Sequence, residues 1–215
     1  MKKILLMGAG GHGKVVLDAL LKLGTYEVQG FVDNDTKLKE VLGIKIIGND
    51  QDLGNLFKSG STRAFISVGS VGDPKIRIKL AAKLKSIGFI LPAIVHPAAV
   101  VAKGVEIGEG AFVAAGAVIG PDSKIGRNAI INTNASVDHD CNIGDFAHIA
   151  PGVTLSGGVE VGEGTHLGSG AAVIEYRKIG VGTVVGAGSV VVSDIPSHSK
   201  AFGNPCRVKT CEKLS

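Results

Sequence analysis

From Val95 to Val191 every sixth residue is Val, Ile or Leu, without a miss. A period of six fits neither a helical stripe nor a plain alternating strand, so it predicts short strands laid down one per hexapeptide, three to a coil. That pattern is a parallel β-helix. Two positions before each aliphatic residue stands a small or β-branched one, as at Ala99, Ala111, Ala117, Ala129, Ala135, Cys141, Ala147 and Ala171, with Arg177 the lone exception. Residues two apart on a strand share a side, so both members of each pair are expected to enter the interior, the large one mid-face and the small one near a corner. Glycine often follows the aliphatic residue, as at Gly108, Gly120, Gly126, Gly144, Gly162, Gly168, Gly180 and Gly186, where the chain must turn.

Before about Leu91 the sixfold period is absent and the pattern reads β-α-β. A strand over 3–7, a glycine loop over 8–13 and a helix over 14–23 are expected, the helix carrying Val16, Leu20 and Leu23 and stopped by Gly24. A second strand covers 28–32, a third 64–68, and Asp73-Pro74 opens a helix with Ile76, Leu80 and Leu84 on its apolar face. The division is therefore a small Rossmann-like α/β domain over 1–91 with a parallel sheet, then a β-helix with its tail over 92–215.

Gly8, Gly10 and Gly13 fit the dinucleotide fingerprint, and Asp33 stands twenty residues past Gly13, where a ribose-binding acid is expected. Such glycines let the backbone close on a pyrophosphate at a helix N-terminus, whose free N–H groups favour anions. The domain is about half a full two-halved dinucleotide fold, and NAD does not explain His12. A nucleotide-sugar diphosphate uses the same physics and is the expected ligand; a turn that only packs helix on strand is the bland alternative.

Composition narrows the class. The 32 glycines come without proline enrichment, which points to turns in a folded chain rather than collagen or disorder. A charge of +4, no Trp and scattered Lys and Arg give no nucleic-acid footprint. No apolar stretch approaches the length of a membrane span. The opening run Ile4-Leu5-Leu6-Met7 is too short for a secretion signal and reads as a buried strand. Three unpatterned cysteines suggest a reducing compartment, so a cytoplasmic protein is expected, with Cys141 as packing and Cys206 and Cys211 in the tail.

An eighteen-residue coil sorts the outward residues by face. The first face carries Val100, Val118, Ser136, Thr154, Ala172 and Val190; the second Glu106, Lys124, Asn142, Glu160 and Lys178; the third Phe112, Ile130, His148, His166 and Val184. Two faces are small or apolar, and three prisms around an axis would bury both, so a cyclic homotrimer is expected. His148 and His166, one coil apart, should lie about 5 Å from each other where a neighbouring subunit comes. His139 sits in the turn Asp138-His139-Asp140, at the corner between the first and second faces. A histidine flanked by carboxylates suits a general base, while the same residues could be a solvated turn. The histidines lie on different faces with no cysteine pair, which makes a metal site a poor fit.

Taken together, the hexapeptides, the Asp138-His139-Asp140-Cys141 turn, His148 nine residues after His139, and the tail Gly203-Asn204-Pro205 resemble the left-handed β-helix acyltransferases. Gly8-Ala9-Gly10-Gly11-His12-Gly13 narrows the likeness to the sialic acid O-acetyltransferase and UDP-amino-sugar N-acetyltransferase group, of which the bacillosamine-pathway enzyme is an example. The resemblance implies a left-handed helix and acetyl-CoA in the groove between trimer subunits. It also implies His139 as general base supported by Asp140, which replaces the glutamate of the nearest relatives. His148 would meet the acetyl carbonyl, Ser169 and Ala187 would face the CoA arm, and Gly10, Gly11, His12, Asp33, Asn34 and Gly69 would hold the nucleotide sugar. The expected reaction is direct N-acetylation of a UDP-linked 4-amino-4,6-dideoxy sugar, with no NAD and no acyl-enzyme. Transfer to a hydroxyl, as on sialic acid or serine, a non-catalytic nucleotide-sugar-binding subunit and an NAD enzyme are the competing readings. Lys200, Arg207 and Lys209 could meet CoA phosphates or form an ordinary solvated tail.

Overall fold

The computed structural model describes residues 1–35 and 37–209; Cys211 lies outside them. The N-terminal sheet is built on β1 (Lys2–Met7), β2 (Tyr26–Val32), β3 (Glu40–Val41), β4 (Ile44–Gly48) and β5 (Ala64–Ile66) in the order β3-β4-β2-β1-β5. β1 pairs in parallel with β2 and β5, and β2 with β4, as the β-α-β pattern requires. The β3–β4 hairpin is antiparallel and escaped the sequence reading. Its turn is Leu42-Gly43, both at positive φ (49° and 79°). That geometry ordinarily announces itself with Asn-Gly, and leucine disguises it.

Helix α1 (Gly11–Leu23) begins three residues earlier than the pattern indicated, so Gly11 and His12 form its first turn, and Gly24 in the left-handed region ends it. A short α2 (Leu53–Lys58) precedes β5, and α3 (Lys75–Ile87) follows it. The expected apolar face of α3 is half right. Leu84 is buried, but the inward positions beside it are Ala81 and Arg77, while Ile76 is 64% exposed.

Residues 94–202 wind as a three-sided left-handed prism whose two-residue strands stack in parallel sheets, one per face. Register repeats every eighteen residues, so Val118 pairs with Ser136, Lys124 with Asn142 and Ile130 with His148. The interior is as the two registers demand: from Ala111 to Val191 the aliphatic and small residues are buried with few exceptions, Arg177 among them. Interior hydroxyls bond to the backbone, Ser123 to the Asp138 carbonyl (2.7 Å) and Thr165 to the Gly180 carbonyl (2.6 Å). Cys141 packs there and its thiol pKa is raised by burial. Cys206 is not a loose tail residue; it is buried and helps close the far end.

Two turn slots have separate causes. In the slot after the aliphatic residue, glycine is needed because the next coil leaves no room: a Cβ on Gly144 would stand 2.5 Å from the Glu163 nitrogen. The left-handed φ falls two residues later, at Gly110, Gly116, Asp122, Asn128, Asn134, Asp140 and onward. The run of glycines after the aliphatic residues therefore marks the first slot alone.

The third face corrects a larger expectation. It is covered by the chain's own N-terminal domain, not left for a neighbour. Ile94, Phe112, Ala114 and Ile130 join one apolar cluster with Ile4, Leu6, Leu17, Leu20, Phe31 and Phe65. The Phe112 ring stands edge-on to His12 and Phe65, with centroids at 5.4 and 6.1 Å. Among the outward apolar residues of the three faces named above, Val100 (61%) and Val118 (42%), both on the first face, stay exposed.

Candidate active site

The glycine loop is shaped by two clashes that a side chain would create. A Cβ on Gly8, at φ 106°, would stand 2.4 Å from a Val68 methyl, and one on Gly13 would stand 2.5 Å from the Gly8 carbonyl oxygen. Gly10 and Gly11 face open space, so the backbone at the α1 N-terminus is bare for an anion. Asp33 closes the loop: its carboxylate accepts from the Ala9 N–H (2.7 Å) and the Asp35 N–H (2.9 Å).

Two cavities flank this loop. One, about 130 Å³, is lined by Gly8, Asp33, Asn34, Asp50, Ile76 and Leu80. The other, about 410 Å³, is lined by Gly10, Gly11, Lys14, Leu38 and Leu42. The exposed Ile76 is thereby explained as a cavity wall. His12 and Gly69 line neither; Gly69 lies against the Cβ of His12, whose ring turns to Phe112. Burial, with the charge of Arg77 and then His148, lowers the His12 pKa to about 4, so the ring is neutral.

His148 stands 4.8 Å from His166, ring centroid to centroid, as the coil spacing predicts. With its Nδ1–H donating to the Ser70 carbonyl (2.7 Å), its Nε2 is free to accept from Asn132 Nδ2 (3.0 Å). Burial lowers its pKa to about 4, against the Ser70 bond. Both ring nitrogens are thus committed, which leaves no ring N–H for an acetyl carbonyl. The ring instead joins Val71, Pro151, His166, Ser169, Val184 and Ala187 in a groove of about 370 Å³ at the corner of the third and first faces. Three residues expected on the donor side, His148, Ser169 and Ala187, are therefore together.

His139 is elsewhere. Its turn joins the strands Ser136–Val137 and Asn142–Ile143, at the corner of the first and second faces. In a triangular prism that corner lies opposite the third face. Its N–H donates to Asp138 Oδ1 (2.7 Å) and its Nδ1 lies 2.8 Å from Asp140 Oδ2. The Asp140 bond leads the causes that raise the His139 pKa above the ordinary imidazole value. An Nδ1–H given to Asp140 leaves the Nε2 lone pair to take a proton. Asp140 has φ 57°, a left-handed slot that aspartate tolerates better than most side chains.

A groove of about 620 Å³ runs along the charged second face beside Gly144, Gly162 and Gly180 and includes none of these residues. It is the hollow left where the corner carries no side chains. Among the described residues, no group of three or more His, Cys, Asp or Glu could hold a metal ion, and no helix is long and apolar enough to cross a membrane.

A glycine loop on an α/β domain, a three-sided β-helix, and a carboxylate-supported histidine on its corner define a hexapeptide acyltransferase with an α/β N-terminal domain. Two family models match: the PglD N-terminal domain over residues 3–84, and the bacterial transferase hexapeptide (six repeats) over 122–157. Perosamine N-acetyltransferase from Caulobacter crescentus, solved with CoA and GDP-perosamine, is 44% identical, with 97% of each chain covered and a TM-score of 0.91. The acetyltransferase domain of PglB from Neisseria gonorrhoeae, solved with acetyl coenzyme A, is 38% identical over 97% of this chain and 99% of that one, with a TM-score of 0.90. WeeI from Acinetobacter baumannii is 26% identical over 96% and 99%, with a TM-score of 0.85. No curated protein matches the chain. The chain belongs to the hexapeptide-repeat acetyltransferases of the bacillosamine type, enzymes that take their acetyl group from acetyl-CoA.

Proposed function

We propose that the protein N-acetylates the amino group of a nucleotide-linked 4-amino-4,6-dideoxy sugar, in a site shared between adjacent copies of a cyclic homotrimer. One observation carries the shared site: His139 lies on the corner of the first and second faces, opposite the third face that the glycine-loop domain covers, while the His148–Ser169–Ala187 groove lies at the other corner of the first face. One protomer therefore keeps its base away from its own substrate loop. The first face runs between those two corners and bears the exposed Val100 and Val118. Packing it around a threefold axis brings one copy's His139 to the next copy's groove.

An amine attacks a thioester only as the free base. His139 Nε2 accepts the amine proton as nitrogen bonds to the acetyl carbon; the C–S bond then breaks, and the thiolate takes the proton to leave as CoA thiol. Asp140 orients the ring and stabilises the imidazolium. A backbone N–H supports the oxyanion, because the His148 ring is already bonded on both sides. Gly10, Gly11, His12, Asp33, Asn34 and Gly69 form the nucleotide-sugar side. Residues 1–91 thus hold the acceptor and 92–215 the donor, in a cytoplasmic enzyme.

The resemblance to the bacillosamine group favours a UDP sugar. The relative solved with GDP-perosamine, including forms with one histidine replaced by asparagine or alanine, favours a guanosine nucleotide. Thiol release from acetyl-CoA, followed with UDP- and GDP-linked 4-amino sugars, free sialic acid and serine, tests the reading. Release with a nucleotide amino sugar, and its loss by two to four orders of magnitude in His139→Ala, is expected. Release with sialic acid alone, or near wild-type turnover in His139→Ala, contradicts it.

A further inference from the structure

The corner that carries His139 repeats two coils higher as Ile174-Glu175-Tyr176-Arg177. Between them lie Gly157 and Gly158. A Cβ on Gly157 would stand 2.5 Å from Cε1 and Nε2 of His139, and a Cβ on Gly158 would stand 2.5 Å from Cδ1 of Tyr176. Two bare residues thus form a ledge, with the imidazole against one and the phenol against the next.

Tyr176 occupies the left-handed slot of its hexapeptide at φ 56°. Asp122, Asn128, Asn134 and Asp140 fill the same slot with side chains suited to it. Phe146 fills it too, but its ring packs against the N-terminal core and lies 5.9 Å from the Arg77 guanidinium. Tyr176 has no such burial and is 66% exposed. Its ring rests on the Gly158 ledge with most of its surface open, and strain of this kind collects where a ligand is held. The turn is braced: Arg177 Nε donates to the Glu175 carbonyl (3.1 Å), and its guanidinium lies 3.8 Å from Asp194. Ile174 and Val192, both exposed, continue the apolar strip along the same corner.

Rotation about a threefold axis parallel to the prism leaves height along it unchanged. With about 4.8 Å per eighteen-residue coil, Tyr176 falls between the neighbour's Ser169 and Ala187, and about 10 Å above His139. We infer that Tyr176 is a donor-positioning residue: its ring lies on the pantetheine arm of acetyl-CoA in the neighbour's groove and sets the reach of the thioester toward the His139 of its own protomer. The inference rests on the shared site proposed above.

Steady-state kinetics of Tyr176→Gly and Tyr176→Phe, with melting temperatures, CoA calorimetry and sedimentation, test it. Glycine suits the backbone, so the trimer and its melting temperature should be kept or raised. The KM for acetyl-CoA should rise about tenfold while that for the acceptor stays put, since an aromatic contact is worth about that factor. Phenylalanine should restore most of the affinity. An acetyl-CoA KM within about twofold of wild type in Tyr176→Gly, or a lower melting temperature with that KM unmoved, overturns the inference. If the wild-type protein itself binds no CoA, the shared-site reading fails first; if it binds CoA and Tyr176→Gly binds equally well, only the role of Tyr176 fails.

Discussion

The imidazole of His148, on the third face of the prism, donates across the domain boundary to the carbonyl oxygen of Ser70 at 2.7 Å. A residue of the β-helix therefore also pins the N-terminal domain. The ring is neutral, and so is His12 beside Phe112.

Because both histidines sit at about 4 in the folded chain and near 6.5 when exposed, the unfolded state binds more protons between those values. Stability should be full above pH 6.5 and fall as pH drops toward 4, then flatten. Thermal melts across that window check it. In His148→Gln the slope should be shallower, and an unchanged slope would assign the effect elsewhere.

His139 carries the opposite shift. Its raised pKa keeps it protonated further up the pH scale, so the base form, and with it kcat/KM, should rise through an inflection above the ordinary histidine value. Asp140→Asn removes the leading cause and should move that inflection down while lowering the plateau. A pH–rate profile decides, and an inflection that stays in place separates Asp140 from the base.

The ledge beneath the imidazole allows a sharper mutation. Gly157→Ala places a methyl where Cε1 and Nε2 of His139 now lie. The side chain can swing away, so the fold should survive with a melting temperature near wild type. Displacing the base by about an ångström should cost on the order of 100-fold in kcat.

Corner glycines separate into two kinds by substitution. In Gly144→Ala the new methyl meets backbone of the next coil, which cannot give, and a loss above about 2 kcal/mol is expected. Gly152→Asn enters a left-handed position (φ 68°) with open space around it and should cost less than about 1 kcal/mol. Denaturant titration distinguishes them; equal losses would refute the two-slot account.

Most of the prism was legible because each hexapeptide is a local rule: Ile125, Ile143 and Val161 announce their burial one coil at a time. What covers a face is not local. Phe112, Ile130 and His148 look the same in sequence whether a second copy or the chain's own domain packs on them, and the cover is the chain's own domain. The loop glycines and Asp33 were readable from spacing, yet Asp33 spends its carboxylate on the Ala9 and Asp35 N–H groups. Ile76, which pattern placed in the core, lines a cavity instead. The role of Tyr176 left only a faint trace, an aromatic in a slot that glycine and asparagine usually fill.

The proposed site is one that no single copy completes, and complementation measures this directly. His139→Ala lacks the base, and Gly11→Trp, at an open position of the loop, blocks the nucleotide side; each alone should be inactive. Coexpressed with different tags and purified as mixed trimers, they should regain about a third of the wild-type sites, since one of the three interfaces in each mixed trimer pairs an intact His139 with a neighbour's intact loop. Mixed trimers as inactive as either parent would contradict the account.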